Sequence, residues 1–525
     1  MFNRQLIRQF YLATLSAIAF FMSLSVWLLT FFIIVLVIIW FADGGLMRIS
    51  ELRKKNQYIL IFAGIYLVYL LWMINTSNTG LGLKELMQKL PLIVLPFVIG
   101  LSDPINKREI KLMLSFFVAG VVLSSVTGLV LFSIDKNVYD SDNIRKISLF
   151  IPYMRLAEMT NMAIVISAFY FLSDHSGKAR YFYLAATLWL ICFLFILISV
   201  TGILLFITLL FIAVFLVIIR SKNTLLKISF ISLVFLFLIS TGVYISHEIR
   251  SFYNKCTFYT YPLKDKTPGG NPYLHFPERK DIENGNPVWI YISETELRKE
   301  WNLRSNINYD SSDLRKQKLS YTLIRYLASM GLTKDSAGVA GLKENDIKYI
   351  ENGITNRLFT EGKHIKSKIY EIIWQIDYYR NGANPSGHSV TQRLEFLKTG
   401  LHCFEGNFVF GTGTGDLEGE INSQYVKDKS KLDPEYRYLP HNQYLTFLVS
   451  FGITGFLIIC FSVIFPVMRL KACKSFLFNM FFLIILLSML GEDTMESHTG
   501  VTFFAYFYSL FIFGKQKDEL LNYGK

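Results

Sequence analysis

The sequence predicts an all-α polytopic integral membrane protein, with about twelve transmembrane helices and one large, mainly helical extracytoplasmic loop domain between helices nine and ten. Three observations predict it. Of 525 residues, 52% are hydrophobic and only 18% charged, with a mean hydropathy of +0.37, whereas soluble globular chains carry about 25% charged residues. Apolar runs near the length of about 20 residues that crosses a hydrocarbon core recur toward both ends of the chain. The interval 247–440 interrupts them, being polar, tyrosine-rich and dotted with Asn, Gly and Pro. One or two soluble cores cannot hide this much apolar surface, so an ordinary soluble enzyme is excluded.

The run 11–42 is too long for one span and predicts two, with a tight turn near residues 23–25. Further spans are predicted at 57–74, 89–101, 109–133, 148–172, 181–199, 202–219 and 226–246, then at 442–468, 475–490 and 499–514. The expected organisation is an N-terminal membrane bundle of about nine helices over 1–246, a loop domain over 247–440, and a C-terminal bundle of about three helices over 441–525. Inside the loop, helical patterning appears at 314–330, 344–352, 365–380 and 390–404. A cleavable signal peptide is not expected, because the first apolar run is too long and lacks a small-residue cleavage site.

The net charge of +13 resembles a nucleic-acid signal, but its distribution gives another account. With the N-terminus inside, short inner loops hold Arg4, Arg8, Arg48, Arg53, Lys54, Lys55, Lys107, Arg108, Arg220, Lys222, Arg469 and Lys471 among others, while short outer loops hold only Lys84, Lys89, Lys136, Arg145 and Lys146. Lys and Arg gather on the cytoplasmic side of a membrane protein. No nucleic-acid partner is needed, the partner being the lipid bilayer, and both termini are expected in the cytoplasm. The cysteines, Cys192, Cys256, Cys403, Cys460 and Cys473, show no zinc spacing. Cys256 and Cys403 both fall in the loop, as two free thiols or as a disulfide pair.

Five segments carry candidate chemistry. Arg155 and Glu158 stand three apart in a span and so share a helix face, either as a structural ion pair or with Arg155 facing an anion cavity. Residues 384–398 read as a turn entering a helix with Arg393 in an early turn, where a solvated arginine is the plainer reading. Phe410-Gly-Thr-Gly-Thr-Gly-Asp416 has glycines at 411, 413 and 415, which would let backbone amides approach phosphate. It lacks the Lys-Ser/Thr of a P-loop, and a tight turn explains it as well. His441-Asn442 opens a span, as a cap or as a general base. Gly491-Glu492-Asp493-Thr-Met-Glu496-Ser-His498 is an acidic connection between the last two spans. On the predicted topology all five reach the outer face, where a base beside guanidinium groups suits a lipid-anchored substrate with a phosphate leaving group.

In these segments the chain resembles the O-antigen ligase family, which shares a domain with O-antigen polymerases and some protein O-oligosaccharyltransferases. The resemblance runs from Ser389-Val-Thr-Gln-Arg393 through the glycine run to His441-Asn-Gln-Tyr-Leu and Phe451-Gly-Ile-Thr-Gly, and ends at Glu492-Asp493 and the apolar run 501–513. It implies a glycosyltransferase of the bacterial inner membrane, metal-independent, cofactor-free and inverting, that moves a glycan from undecaprenyl pyrophosphate to a lipid A-core hydroxyl at the periplasmic face. It implies His441 as base and Arg393 as pyrophosphate contact. Arg155, Gly413, Gly415, Asp416, Asn442 and Asp493 are the further candidate contacts to pyrophosphate or glycan. Many relatives carry Ser-Arg-small-Gly at the outer end of a middle helix. Here that stretch is Ser199-Val-Thr-Gly202, without arginine, and Arg155 is the candidate replacement. The insertion 250–385 is longer than in many members and is similar to the long loop of homologues from the Bacteroidetes group.

Two other readings stand beside this one. The same site chemistry serves glycan polymerisation or transfer to protein. A multi-pass transporter or lipid flippase also needs many helices and a few intramembrane charges, but places its binding site near the bilayer midplane and shows repeated halves.

Overall fold

A computed structural model describes residues 4–45, 47, 57–134, 146–173, 177–254, 263–279, 281–360 and 365–514. The chain is mostly helical (73%), with almost no strand. It divides into two compact units, residues 1–220 with 393–525, and residues 221–392.

The first unit begins with α1 (Arg4–Phe21), α2 (Val26–Ala42), α3 (Gln57–Phe62), α4 (Gly64–Leu71), α5 (Thr79–Lys89), α6 (Pro91–Leu101), α7 (Lys107–Ile134), α8 (Tyr153–Ser173), α9 (Ala179–Ile196) and α10 (Val200–Arg220). Ser25 separates α1 from α2, its hydroxyl accepting from Leu28 N and so capping the second helix. Pro91 opens α6, where its missing N–H removes nothing from the helix ladder.

The second unit contains α11 (Thr224–Asn254), the two-residue strands β1 (Ile282–Glu283) and β2 (Asn286–Pro287) paired antiparallel, and α12 (Glu294–Arg304), α13 (Leu319–Ser329), α14 (Ser336–Ala340), α15 (Glu344–Glu351) and α16 (Ile365–Arg380). Its core is a small soluble-type cluster built on Trp301, Leu323, Tyr326, Leu327 and Ile350. Arg325 crosses that core to Glu283 at 2.5 Å. The long helix α11 groups with this unit because Phe252 packs against Tyr370 and Ile373 of α16.

The remainder belongs to the first unit: α17 (Ser389–Gly406), α18 (Leu417–Lys427), α19 (Gln443–Arg469), α20 (Phe476–Ser488) and α21 (His498–Ile512). The helices α17 and α18 group with the bundle because Phe396, Cys403, Ile421 and Tyr425 share a cluster with Leu445 and Val449 of α19. The unit boundaries therefore fall at 220/221 and 392/393, whereas hydropathy sets them at 246/247 and 440/441. Side-chain packing, not polarity, decides which helix joins which unit. Cys256 lies outside the described residues, and so does its expected relation to Cys403.

Seven helices among the described residues are long and apolar enough to cross a bilayer: Gln57–Asn75, Lys107–Ile134, Tyr153–Ser173, Ala179–Ile196, Val200–Arg220, Thr224–Tyr253 and Gln443–Arg469. The apolar helices α2 and α20 are shorter, at 17 and 13 residues. At 1.5 Å per residue, 13 residues reach about 20 Å, less than a hydrocarbon core. The last helix, α21, is buried on every side from Thr499 to Ile512. It forms the aromatic centre of the bundle, with Tyr508 stacked on Phe62 at 4.2 Å and Phe507 edge-on to Phe117 at 4.8 Å. A helix apolar all round is a buried one, whatever its length.

Candidate functional site

His441 sits on the last residues before α19. Asn442 caps that helix, its side-chain oxygen accepting from Leu445 N at 3.0 Å, and its amide donates to Leu490 O at 3.1 Å. His441 itself has φ of 49°, in the left-handed region. Such a conformation is unfavourable for a non-glycine residue, by about 1–3 kcal/mol, and persists only where neighbours impose it. The imposing contact is visible: His441 N donates to Asp493 Oδ2 at 3.0 Å. The imidazole is held between the rings of Phe396 at 5.4 Å and Tyr438 at 6.1 Å, with part of it exposed. Its Nδ1 points at two carboxylates, 3.7 Å from Glu492 Oε2 and 3.9 Å from Asp493 Oδ2.

Asp493 and Glu492 are adjacent in sequence but differently used. Asp493 is fully engaged, its Oδ1 accepting from Thr446 Oγ1 at 2.6 Å while Oδ2 takes the His441 amide. Burial pushes its carboxyl above the usual range, against the opposing effect of the Thr446 hydrogen bond, and repulsion from Glu496 adds to the rise. Glu492 is also buried, yet holds only a long contact, accepting from Arg393 Nη2 at 3.3 Å. Arg393 projects from the first turn of α17 and is 44% exposed.

The loop bearing these acids is anchored from behind. Lys89, wholly buried at the end of α5, meets Glu496 at 2.8 Å and Glu85 at 3.1 Å, and donates to the Met495 carbonyl. The Gln443 amide closes the same loop, donating to Glu496 Oε1 at 2.8 Å and accepting from Met495 N at 2.6 Å. A lysine with two carboxylates is a satisfied buried charge, and removing it would leave the acids uncompensated.

A cavity of about 260 Å³ borders Glu492, lined also by Glu158, Thr201, Gly202, Leu205, Ser488 and Leu490 among others. It lies between α8, α10 and the end of α20. Arg155 does not line it. That arginine is buried and donates to Glu158 one turn on, so within this ion pair it is the carboxylate that faces the cavity. Ser199-Val-Thr-Gly202 contributes a cavity wall through Thr201 and Gly202, and the preceding Ile198 takes a left-handed φ of 49°.

The glycine run goes elsewhere. Gly411 and Gly452 both have positive φ, and a side chain on Gly411 would meet Gly452 N at 2.5 Å, while one on Gly452 would meet Val409 O at 2.3 Å. The run thus enters a kink in α19, with Thr412 N and Gly413 N donating to Val449 O and Ser450 O. Gly413 and Gly415 lie against the backbones of Asn75 and Asn78. The Asp416 carboxylate accepts from Ser77 N at 2.6 Å and Asn78 N at 2.8 Å. These contacts brace the junction of α4 and α5. Among the described residues, no group of three or more His, Cys, Asp and Glu is arranged to hold a metal ion.

Of the residues singled out in the sequence, the fold brings Arg393, His441, Asn442 and Asp493 into one cluster. Gly413, Gly415 and Asp416 join a second, and Arg155 sits in its own ion pair. In sequence, Glu158 and Glu492 fall in candidate segments without a site role, and Lys89 counts only as an outer-loop charge. Glu158 was legible as Arg155's neighbour, and Glu85 four residues before Lys89 offers a local pair, but nothing local announces Lys89's contact with Glu496, 407 positions away.

Residues 342–460 match the family described as O-antigen ligase. The match supports membership of the O-antigen ligase family. It spans Arg393, the glycine turn and His441, and ends within α19. Comparison with curated proteins returns no match. Members of the family are glycosyltransferase-like enzymes, ligases or polymerases. For that family, lipid-linked glycan substrates in a membrane are implied, and seven helices among the described residues are long and apolar enough to cross one.

Proposed function

We propose that this protein is an O-antigen ligase-type glycosyltransferase that transfers a glycan from undecaprenyl pyrophosphate to a lipid A-core hydroxyl at the periplasmic face of the bacterial inner membrane. In this reading the chain has about twelve spans, counting the shorter apolar helices and α21, with the loop domain in the periplasm and both termini in the cytoplasm. The observation that carries it is the posture of His441, held in a left-handed backbone conformation with Nδ1 toward two carboxylates and a guanidinium alongside.

With its Nδ1 proton facing Glu492 and Asp493, the imidazole keeps its lone pair on Nε2. That nitrogen takes the proton of the acceptor hydroxyl as the oxygen attacks the anomeric carbon. The bond from that carbon to the phosphate oxygen breaks, and its electron pair leaves with undecaprenyl pyrophosphate. Arg393 stabilises the charge that develops there, since a guanidinium offers planar, permanently charged donors to phosphate oxygens. The proton then passes from the imidazolium to solvent. One displacement at one carbon inverts its configuration. The cavity that borders Glu492 supplies open space beside the acid that lies 3.7 Å from the base.

The test is transfer by purified protein from undecaprenyl-pyrophosphate-linked glycan to lipid A-core. Wild-type product formation by well-folded His441→Ala or Arg393→Ala protein would sink the assignment. Offering free glycan or a Ser/Thr-bearing protein instead of lipid A-core separates ligase from polymerase and protein transferase, and a transporter would form no glycosidic bond with any of them.

A further inference from the structure

The Glu492 carboxylate stands between the two groups that the proposed reaction uses. Its Oε1 meets Arg393 Nη2 at 3.3 Å and its Oε2 lies 3.7 Å from His441 Nδ1. Neither contact is tight. Charge-assisted N–H···O bonds run at about 2.7–2.9 Å, and the imidazole is outside hydrogen-bond reach. The side chain is only 5% exposed, so water compensates little of its charge. It also lines the cavity of about 260 Å³, which leaves it space to turn. Its two cationic neighbours differ in freedom. Arg393 is long, 44% exposed and able to swing toward an arriving anion. His441 is fixed by its backbone bond to Asp493 and by the rings of Phe396 and Tyr438.

We infer that Glu492 is a positioning residue that couples donor binding to the basicity of His441: Arg393 holds it in the empty site, and it turns to His441 Nδ1 when the donor's pyrophosphate takes the guanidinium. This rests on the reading of the site given above and deepens it. Among the described residues, the other carboxylates of this loop are already committed. Asp493 is bound by Thr446 and the His441 amide, and Glu496 by Lys89 and Gln443. From α17 the facing groups are Arg393 and Phe396, and from the segment before α19, Tyr438. Glu492 is therefore the carboxylate whose allegiance changes with the anion. The base becomes strong only once a donor is seated, which holds back proton abstraction until there is a bond to break.

The coupling is read without turnover. The full-length protein in detergent is treated with diethyl pyrocarbonate across pH, and carbethoxylation of the His441 peptide is followed by mass spectrometry, which gives the imidazole's titration midpoint. Inorganic pyrophosphate, at concentrations that occupy Arg393, should raise the wild-type midpoint by about one pH unit, the size of effect an opposite charge at contact distance produces. Arg393→Gln should raise it without pyrophosphate. Glu492→Gln should lower it and remove most of both responses, so the Arg393→Gln shift should collapse in the Glu492→Gln background. Equal Arg393→Gln shifts in both backgrounds would mean that the arginine acts on the imidazole directly, and the coupling would be overturned. If Glu492→Gln does not fold, Glu492→Asp serves: its shorter carboxylate should keep the charge and weaken the pyrophosphate response, and a full wild-type response would overturn the coupling too. Transfer retained by His441→Ala would instead defeat the proposed reaction while leaving this titration readable.

Discussion

Two polar motifs lie in the same matched segment, and hydrogen-bond accounting separates them. In the glycine turn most polar groups have protein partners: Asp416 accepts from two backbone amides, Thr414 donates to Tyr69 O, and Gly413 N donates to Ser450 O, while the buried Thr412 hydroxyl has none among the described residues. Around His441 the accounting is left open. The imidazole stands 3.7 Å from the nearest acid oxygen, Glu492 has one long contact to a guanidinium, Arg393 is 44% exposed, and a cavity borders Glu492. Satisfied groups hold a fold together, while under-satisfied groups beside a cavity are poised for something that arrives. The glycine turn spends its carboxylate and most of its amides on backbone partners, while the groups around His441 keep looser contacts beside a cavity.

Substitutions in the two motifs should therefore fail in different ways. The largest effect expected is on chemistry: His441→Ala should reduce transfer by about 10²–10⁴-fold, the usual contribution of a positioned general base. Protein abundance should stay near wild type, and loss of abundance instead would erase the contrast with the glycine turn. Next, Lys89→Met should cost about 3–5 kcal/mol of stability by leaving Glu85 and Glu496 buried without their cation. Thermal unfolding in detergent would measure it. In the turn, Gly452→Ala forces a side chain onto Val409 O in a left-handed conformation, and a loss of about 1–3 kcal/mol is expected, again read as thermal stability. Asp416→Asn should lose about 1–2 kcal/mol through poorer capping of Ser77 and Asn78. The pH profile of residual transfer should not move, and a shifted profile would bring Asp416 back into the site.

The smallest effect concerns pH. The folded carboxyl of Asp493 titrates above its ordinary value because it is buried. The folded state therefore binds the proton more tightly than the unfolded one, and this contribution to stability is fully present below the ordinary carboxyl range and is lost as pH rises through the raised folded value. Asp493→Asn, which keeps an acceptor for the His441 amide, should flatten that part of the stability-versus-pH curve. An unchanged curve would place the dependence on another acid.

The helical class, the polar interval and the membrane character were all legible in the sequence, because burial in lipid demands long apolar runs and those can be counted. The residues of the candidate site were legible as motifs, with His441 and Arg393 foremost. What the residues do to one another was not. Arg155 was readable either as the ion-pair partner of Glu158 or as an anion contact, and the fold shows the pair with Glu158. Lys89 looked like a loop charge, but the fold carries it to Glu496 across more than four hundred residues.

By itself, then, the sequence determined that this chain makes apolar helices with a polar interval between them, and it determined which segments carry imidazole, guanidinium and carboxylate. Periodicity and composition are local properties that need no partner. The tertiary structure alone decided which helices pack into which unit, which of two adjacent acids is engaged and which is loose, and which arginine is buried in an ion pair and which stays partly exposed. Those outcomes depend on distances between residues far apart in the chain, and electrostatics and hydrogen bonding act over a few ångströms of space, not along sequence.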